Sequence, residues 1–458
     1  MADHQLIIIG GGLAGLAAGI RAARFGLKPL IVEQHSLPGG LNSYYFRQGH
    51  LLETGLHAMT NFALPKVKHA PLNRLFRQLQ LSRKAFITHE QLESEVIFPQ
   101  ASLRFSNDLN LLCEEIAARF PIAVDRFRAL VKEVDAYDPF AEVPWRSARH
   151  FLRSRLAEPL LEEMLLLPLM VYGNAEEDDM DLGQFAIMFR AVFLEGFFRP
   201  AGTIKDLLEL LLTHYKQFGG EIRFRAPVAQ ILSEGEQVRG VRLQNGEELL
   251  AKAVLSTAGI PGTAEMSGWQ IEENRYTGRM SFMETIYLLP ELRLPPQHRN
   301  KTIIFYSLNE RLAYHRPGKA VDSSWGVICF PSNFQDLPQS SPVQVRVTNA
   351  ANYDIWQQIT PEEYLRLKEE CGRQTSAAVS RILGDYNRNA VFQDSFTPTT
   401  IERFTGKRAG AVYGSPVKIK SGRTPWNNLF IAGTDQGYLG IVGAMLSGVT
   451  IVNQHLLK

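Results

Sequence analysis

Three glycines near the N-terminus stand at a spacing that binds phosphate. Gly10, Gly12 and Gly15 lie in Gly10-Gly11-Gly12-Leu13-Ala14-Gly15 and fit G-x-G-x-x-G. An apolar run from Gln5 to Gly10 leads into them, and alanines and leucines continue from Leu13 to Phe25, before Gly26. The spacing predicts a buried strand, a tight turn and a helix. In that arrangement Gly10 permits the turn, Gly12 lets a pyrophosphate reach the backbone, and Gly15 lets the helix pack on the strand. The helix start at Leu13 and Ala14 offers free N–H groups and the positive end of a dipole. A second strand, Lys28 to Glu33, closes in an acid followed by Gln34. Glu33 stands about twenty residues on, where a carboxylate accepts hydrogen bonds from ribose hydroxyls. The alternative is a glycine-rich turn in an ordinary βαβ unit. Strand, triad, helix, strand and acid in this order favour the dinucleotide reading.

Two further stretches carry chemistry. Gly39-Gly40-Leu41-Asn42 follows the second strand. A hairpin over SYYFRQGHLLETG comes next, turning near Gln48-Gly49 and running into Gly55-Leu56-His57. His57 offers an imidazole for proton transfer near neutrality. The other reading, preferred because no partner is visible, is a histidine that hydrogen-bonds a cofactor or the backbone. Near the other end, Asn428 to Gly433 reads as a strand. Thr434-Asp435 and a glycine-rich turn follow, then Ile441-Val442-Gly443-Ala444 and a helix through Met445 to His455.

Composition narrows the function. With 458 residues, two domains are expected. Lysine plus arginine (49) nearly balances aspartate plus glutamate (47), so no overall field attracts nucleic acid. Cys113, Cys329 and Cys371 are scattered, with no metal spacing and no disulfide framework. A reducing, cytoplasmic setting is the expectation. The apolar stretch from Leu6 to Ile20 follows Asp3 rather than a basic cluster, which argues against a signal peptide. No run of about twenty apolar residues suggests a membrane span.

The doublet region resembles FAD enzymes of the glutathione-reductase-like class that carry "GG", including amine oxidases and phytoene desaturases. In that group the doublet passes beside the ribityl and phosphate portion of the flavin nucleotide. Leu41 stands where amine oxidases usually have arginine. Glu53-Thr54-Gly55-Leu56-His57 is closer to retinol saturases and carotenoid isomerases, whose acid here is usually aspartate. Phe396-Thr397-Pro398-Thr399 with Gly410-Ala411-Val412-Tyr413-Gly414 is similar to the "TP-x-T…GA-x-YG" stretch of the same enzymes and of bacterial phytoene-desaturase-like proteins.

The resemblance implies an α/β fold. A Rossmann-type, glutathione-reductase-like FAD domain (residues 1–65, 202–263 and 394–458) would carry a discontinuous α+β substrate domain (66–201 and 264–393). It implies that Val228 meets the adenine, that Ala258 and Gly259 return beside the phosphates, and that Asp435 (otherwise Thr434) binds the ribityl chain. The helix start at Ile441 to Ala444 would then face the flavin ring. Noncovalent FAD is expected, since no cysteine or histidine sits where attachment would be easy. The implied reaction is desaturation, saturation or isomerisation of a long isoprenoid or polyene, with hydride passing to or from flavin N5. The rivals are an amine oxidase and a non-enzymatic prenyl-binding protein of the GDP-dissociation-inhibitor type. No second G-x-G-x-x-G marks an NAD(P)H domain, which leaves the electron partner open.

Two stretches of the middle region have double readings. Phe185, Phe189, Phe193 and Phe197 recur at four-residue spacing. Such a stripe is first a core and second the wall of an apolar substrate tunnel. Arg146, Arg149 and Arg153 fall on one face of an expected helix, followed by apolar Leu160 to Tyr172. A solvated face is the first reading, and docking on anionic lipid, making the protein peripheral on a membrane, is the second.

Overall fold

The computed structural model describes residues 3–141, 143–291, 294–338 and 342–457. Met1, Ala2 and Lys458, at the outer limits of the expected FAD domain, lie outside them. Two sheets organise the fold. In the first, the strand His4–Ile9 lies between Pro29–Val32 and Glu248–Ser256, parallel to both, with Ile7 opposite Leu30 and Ile8 opposite Leu255. Its last four residues are buried, as a central parallel strand requires. Glu221–Arg223 extends one edge beside Pro29–Val32. Glu248–Ser256 serves two neighbours. Its early residues pair antiparallel with Gln237–Leu243, and its last three pair parallel with Leu429–Ile431. The C-terminal strand is thereby brought into the sheet that holds the N-terminus.

Backbone contact locks the two ends together. The helix Leu13–Arg24 is buried along most of its length. A Cβ on Gly15 would come within 2.0 Å of the Gly10 carbonyl oxygen, so only glycine lets the helix start this close to the strand. The helix Gly440–Ile451 crosses it at Gly448, where a Cβ would lie 2.1 Å from the Ala14 carbonyl oxygen. The amphipathic helix Pro71–Leu79 joins this core through Leu72, Leu75, Phe76 and Leu79. That differs from the expectation, which put residue 66 onward in the other domain: the apolar face of 71–79 packs with the first and last helices.

The second sheet runs Phe392–Phe396, Ser281–Leu289, Val343–Ala351, Val321–Cys329, Lys301–Ser307, Glu93–Ile97, Ser102–Phe105. All pairings are antiparallel except that of Lys301–Ser307 with Glu93–Ile97. Side chains alternate between two cores. Ile303, Phe305 and Val327 face a layer of helices, while Ile304, Tyr306 and Ile328 face the helix Pro361–Leu383. Phe392–Phe396 belongs to this sheet, so the expected boundary at residue 394 cuts through a strand.

The phenylalanine stripe is core. Its first three members lie on the helix Leu182–Phe189 and the π-helical turn Arg190–Leu194, while Phe197 lies beyond both, just before the strand Phe198–Pro200. Phe185, Phe189 and Phe193 are fully buried, with ring centroids 5.6 Å and 5.2 Å apart in succession, and Phe105 lies 5.2 Å from Phe193. Each packs against other rings, and none of the three lines the large cavity described below, so the tunnel reading of these residues gives way to the core reading.

The basic stretch lies partly at the surface and is tied to the following helix. Arg146 precedes the helix Ala148–Leu156, Arg149 pairs with Glu163 at 2.8 Å, and Arg153 lies 3.6 Å from Glu162. Leu160 to Tyr172 sits within the helix Pro159–Gly173, most of which is buried. Acids from that helix partner Arg149 and Arg153, while Arg146 is exposed. Among the described residues no helix is long and apolar enough to cross a membrane.

Truncating the stripe tests its assignment. Phe189→Ala should lower stability by about 3–5 kcal/mol, read from urea unfolding. Flavin retained per folded molecule should not change. A normal unfolding midpoint would contradict the packing described.

Candidate functional site

The two glycine motifs meet as one surface. The Gly39 N–H donates to the Gly11 carbonyl at 2.9 Å, and Gly12 and Gly39 form a parallel bridge. A Cβ on Gly12 would meet only Gly39 and Gly40 backbone, at 3.9–4.0 Å. The result is a floor of backbone facing a cavity of about 1120 Å³. Gly10, Gly12, Leu13, Ala14, Glu33, Gln34, Gly39, Gly40, Leu41 and Asn42 all line that cavity. So do Gly55, His57, Val228, Ala258, Gly433, Thr434, Ile441 and Ala444. Glu33 is held at its edge. One carboxylate oxygen accepts the Gly11 N–H at 2.6 Å and the other accepts the His35 N–H at 2.7 Å.

Other expected residues stand behind the wall. Gly15 packs under the turn. Val442 is buried among the helices, and Gly443 faces Tyr438. Gly259 borders a separate small cleft beside Asp435. Asp435 corrects the ribityl expectation. Its carboxylate is fully buried and accepts the N–H groups of Ile260 at 2.6 Å and Ser415 at 2.9 Å. Burial opposes its charge, but Lys407 and Lys418 beside it keep its pKa below the ordinary value. Burial pushes the Lys418 ammonium down to about 8. Asp435 therefore ties three loops together, and Thr434, the alternative, is the residue that reaches the cavity.

Three residues that the sequence did not single out, Glu284, Arg346 and Thr348, lie on the second sheet. Glu284 and Thr348 are direct cross-strand partners, and the Thr348 hydroxyl donates to the Glu284 carboxylate. Arg346 Nε donates to Glu284 at 2.6 Å, and His57 Nε2 lies 2.8 Å from the same oxygen. Burial alone would raise the Glu284 pKa; Arg346 and His57 hold it down at about 2. An ionised carboxylate only accepts, so His57 Nε2 carries the proton of that bond. Leu56, buried behind the wall, has its carbonyl as the meeting point of two arginines: Arg346 and Arg199 each donate to it at 3.1 Å. Arg199 also pairs with Glu53, whose other oxygen accepts the Ile204 N–H at 2.6 Å. The signal for these residues was a glutamate and an arginine inside the apolar strand runs SFMETIYLL and VQVRVTNAA.

The cavity fits a dinucleotide. Its floor is side-chain-free backbone at a helix start, its lining includes an acid, and Thr434, Ile441 and Tyr172 line it as well. The buried Tyr172 hydroxyl has no partner among the described residues, a vacancy that a bound polar group would satisfy. A model described as flavin containing amine oxidoreductase matches residues 13–454. The chain belongs to that family. It is an FAD-dependent oxidoreductase.

Within this flavoprotein family the chain is 23% identical to all-trans-retinol 13,14-reductase of Danio rerio, over 99% of its own length and 87% of the relative. It is 19% identical to a chloroplastic prolycopene isomerase of Arabidopsis thaliana (90% and 74% covered) and 25% identical to the lycopene-forming phytoene desaturase of Pantoea ananas (56% of each). In fold it is similar to an oxidoreductase from Methanosarcina mazei, with a TM-score of 0.68 at 14% identity, covering 98% of this chain and 100% of the other. Putrescine oxidase with bound putrescine gives 0.65 at 14% identity, covering 99% of each.

Two variants test the site. Glu33→Arg should abolish FAD retention while the circular dichroism spectrum stays native; unchanged flavin absorbance per protein would remove the role assigned to Glu33. Glu284→Gln leaves buried Arg346 without its counter-ion and should cost about 3–5 kcal/mol at neutral pH. The Glu284 pKa is depressed in the folded protein, so this contribution is complete above about pH 4.5, the ordinary glutamate value, and is lost as the pH falls towards 2. The gap between wild type and variant in urea unfolding should narrow across that acid window. A gap that stays constant would show that the carboxylate charge is not what stabilises.

Proposed function

We propose that this flavoprotein acts on a carbon–carbon bond of a long isoprenoid or polyene, by desaturation, saturation or isomerisation. The observation that carries this reading is the state of the cavity's acids. Four carboxylates line it, Glu33, Glu265, Glu284 and Asp394, and each is already bound. Glu33 holds backbone N–H groups, Glu265 pairs with Arg408, Glu284 with Arg346, and Asp394 with Arg47 and Lys368. None is left to hold a substrate ammonium, which weighs against an amine. The walls beyond the glycine floor include Val171, Tyr172, Phe282, Val327, Val412 and Tyr413, surfaces suited to a hydrocarbon. The names of the relatives, a retinol reductase, prolycopene isomerases and phytoene desaturases, support the same substrate class.

Bound FAD supplies hydride acceptance or donation, chemistry no side chain offers. The chain's own residues do the rest. The apolar walls exclude water and hold an extended substrate in one orientation. Glu284 fixes the His57 ring through Nε2, leaving Nδ1 to hold or move a proton at the cavity wall. Burial keeps the Tyr172 and Tyr413 hydroxyls protonated. The FAD is held noncovalently, a reading supported by the placement of Cys113, Cys329 and Cys371 away from the cavity lining. The nucleotide half comprises the first sheet's segments with 71–86, and the substrate half the second sheet through Phe396. A substrate of this kind dissolves in bilayers, so the enzyme works at a membrane surface.

The reading is tested by anaerobic bleaching or re-oxidation of the flavin with carotenoids, retinoids, prenyl lipids and amines. A response to a polyene or prenyl lipid and none to amines is expected; the reverse pattern overturns the assignment. With the responsive substrate, His57→Ala should lower turnover by about 10²–10⁴-fold with flavin content intact. Loss of flavin instead would make His57 a cofactor ligand only.

A further inference from the structure

One tract of the chain carries only positive charge. Residues 54–89 contain Lys66, Lys68, Arg74, Arg77, Arg83 and Lys84 and not one aspartate or glutamate, in a protein whose charges otherwise nearly cancel. All but Arg83 are exposed. Among the described residues none of the six forms an ion pair, unlike Arg149 and Arg153 of the helix for which lipid docking was the second reading. Three aliphatic side chains stand among these cations, Leu64 at 44%, Val67 at 47% and Ile87 at 56% exposure.

The fold gathers these residues into one surface. Asn73, on the helix Pro71–Leu79, donates through its side-chain amide to the carbonyls of Leu64 at 2.8 Å and Val67 at 2.9 Å. Arg83 donates to the Ala63 carbonyl at 3.0 Å, which brings the stretch before Ile87 against Leu64. Arg77 donates to the Lys68 carbonyl at 2.6 Å, so those two cations are neighbours. The same segment begins as cavity wall at Gly55, His57, Ala58 and Thr60 and emerges at Leu64.

We infer that the surface formed by Leu64, Lys66, Val67, Lys68, Lys84 and Ile87 docks the protein on an anionic lipid bilayer. Unpaired cations without intervening acids attract lipid headgroups, and aliphatic side chains among them enter the acyl boundary. Leucine, valine and isoleucine offer nothing to stack on bases or to hydrogen-bond phosphate, which favours lipid over nucleic acid. The docking rests on the proposed lipophilic substrate only for its purpose; the charge and exposure stand without it.

The test is flotation of the FAD-loaded protein with vesicles of phosphatidylcholine alone or mixed with phosphatidylglycerol. Binding to the mixed vesicles, weakened by salt, is expected. Each cation contributes about fivefold to partitioning, so Lys66→Gln, Lys68→Gln and Lys84→Gln together should reduce binding on the order of a hundredfold. Leu64→Ser with Val67→Ser should remove the binding that survives high salt, where charge is screened. Arg149→Gln should bind as wild type. No binding to anionic vesicles overturns the inference, as does a triple variant that binds like wild type. Retention on duplex DNA without retention on vesicles overturns it too. Flavin bleaching by detergent-dispersed substrate separates the two claims: vesicle binding without any polyene response defeats the proposed function and leaves the surface standing, and the converse defeats only the surface.

Discussion

Arg346 is a permanent charge with no exposed side-chain surface, and its neutralisation constrains everything around it. Taking a guanidinium out of water costs several kcal/mol unless its donors are all met. Here Nε meets Glu284, and the two terminal nitrogens meet the carbonyls of Leu56 and Thr54. Two of its three bonds therefore go to a backbone segment of the nucleotide side, while Arg346 itself belongs to the second sheet. Arg199 grips the same segment from another direction, through Leu56 and Glu53. Thr54 to His57 is thus fixed by two buried arginines, and the wall it forms cannot shift without leaving buried guanidinium N–H donors unmet. The position of His57 against the cavity is a consequence of that grip.

The other half of the cavity is built on the opposite principle. It has almost no side chains to position, because its floor is backbone from two glycine loops in register. Rigidity there comes from close packing: strand against helix at Gly15 and helix against helix at Gly448. A larger residue at either point would push backbone against backbone, and the N–H groups aimed at the cavity would move with it. One end of the cavity therefore depends on the absence of side chains, and the other on fully satisfied charged ones.

The nucleotide half was legible because its motifs are local. Glycine spacing, strand runs and a terminal acid lie within short windows, and both termini carry one. The wrong or missing parts concern direction. Helical spacing at Phe185, Phe189 and Phe193 showed that the residues share a face, but not whether that face meets a cavity or Phe105 and Phe127. Asp435 was located correctly along the chain, yet one residue in a tight turn separates a side chain facing the cavity from one facing Ser415. Glu284 and Arg346 are far apart in sequence, and only strand register makes them neighbours. A glutamate in one apolar strand and an arginine in another were nonetheless visible, and pairing two such residues is the cheapest way to bury both.

The charge balance of the cavity gives these pieces a common meaning. If Glu284 faced the cavity unpaired, it would attract cations and hold water, and an uncharged hydrocarbon would have to displace both. Arg346 cancels that charge from behind, and Thr348 occupies the second oxygen. What remains towards the cavity is the imidazole of His57, attached to a charge already spent on its partners. The tyrosines beside it stay neutral because burial disfavours their ionisation. The end of the cavity beside His57 is thus polar enough to position one proton and otherwise electrically quiet; on the proposed function, charge developing on a conjugated substrate there would be spread along its own carbons rather than drawn to a fixed protein charge.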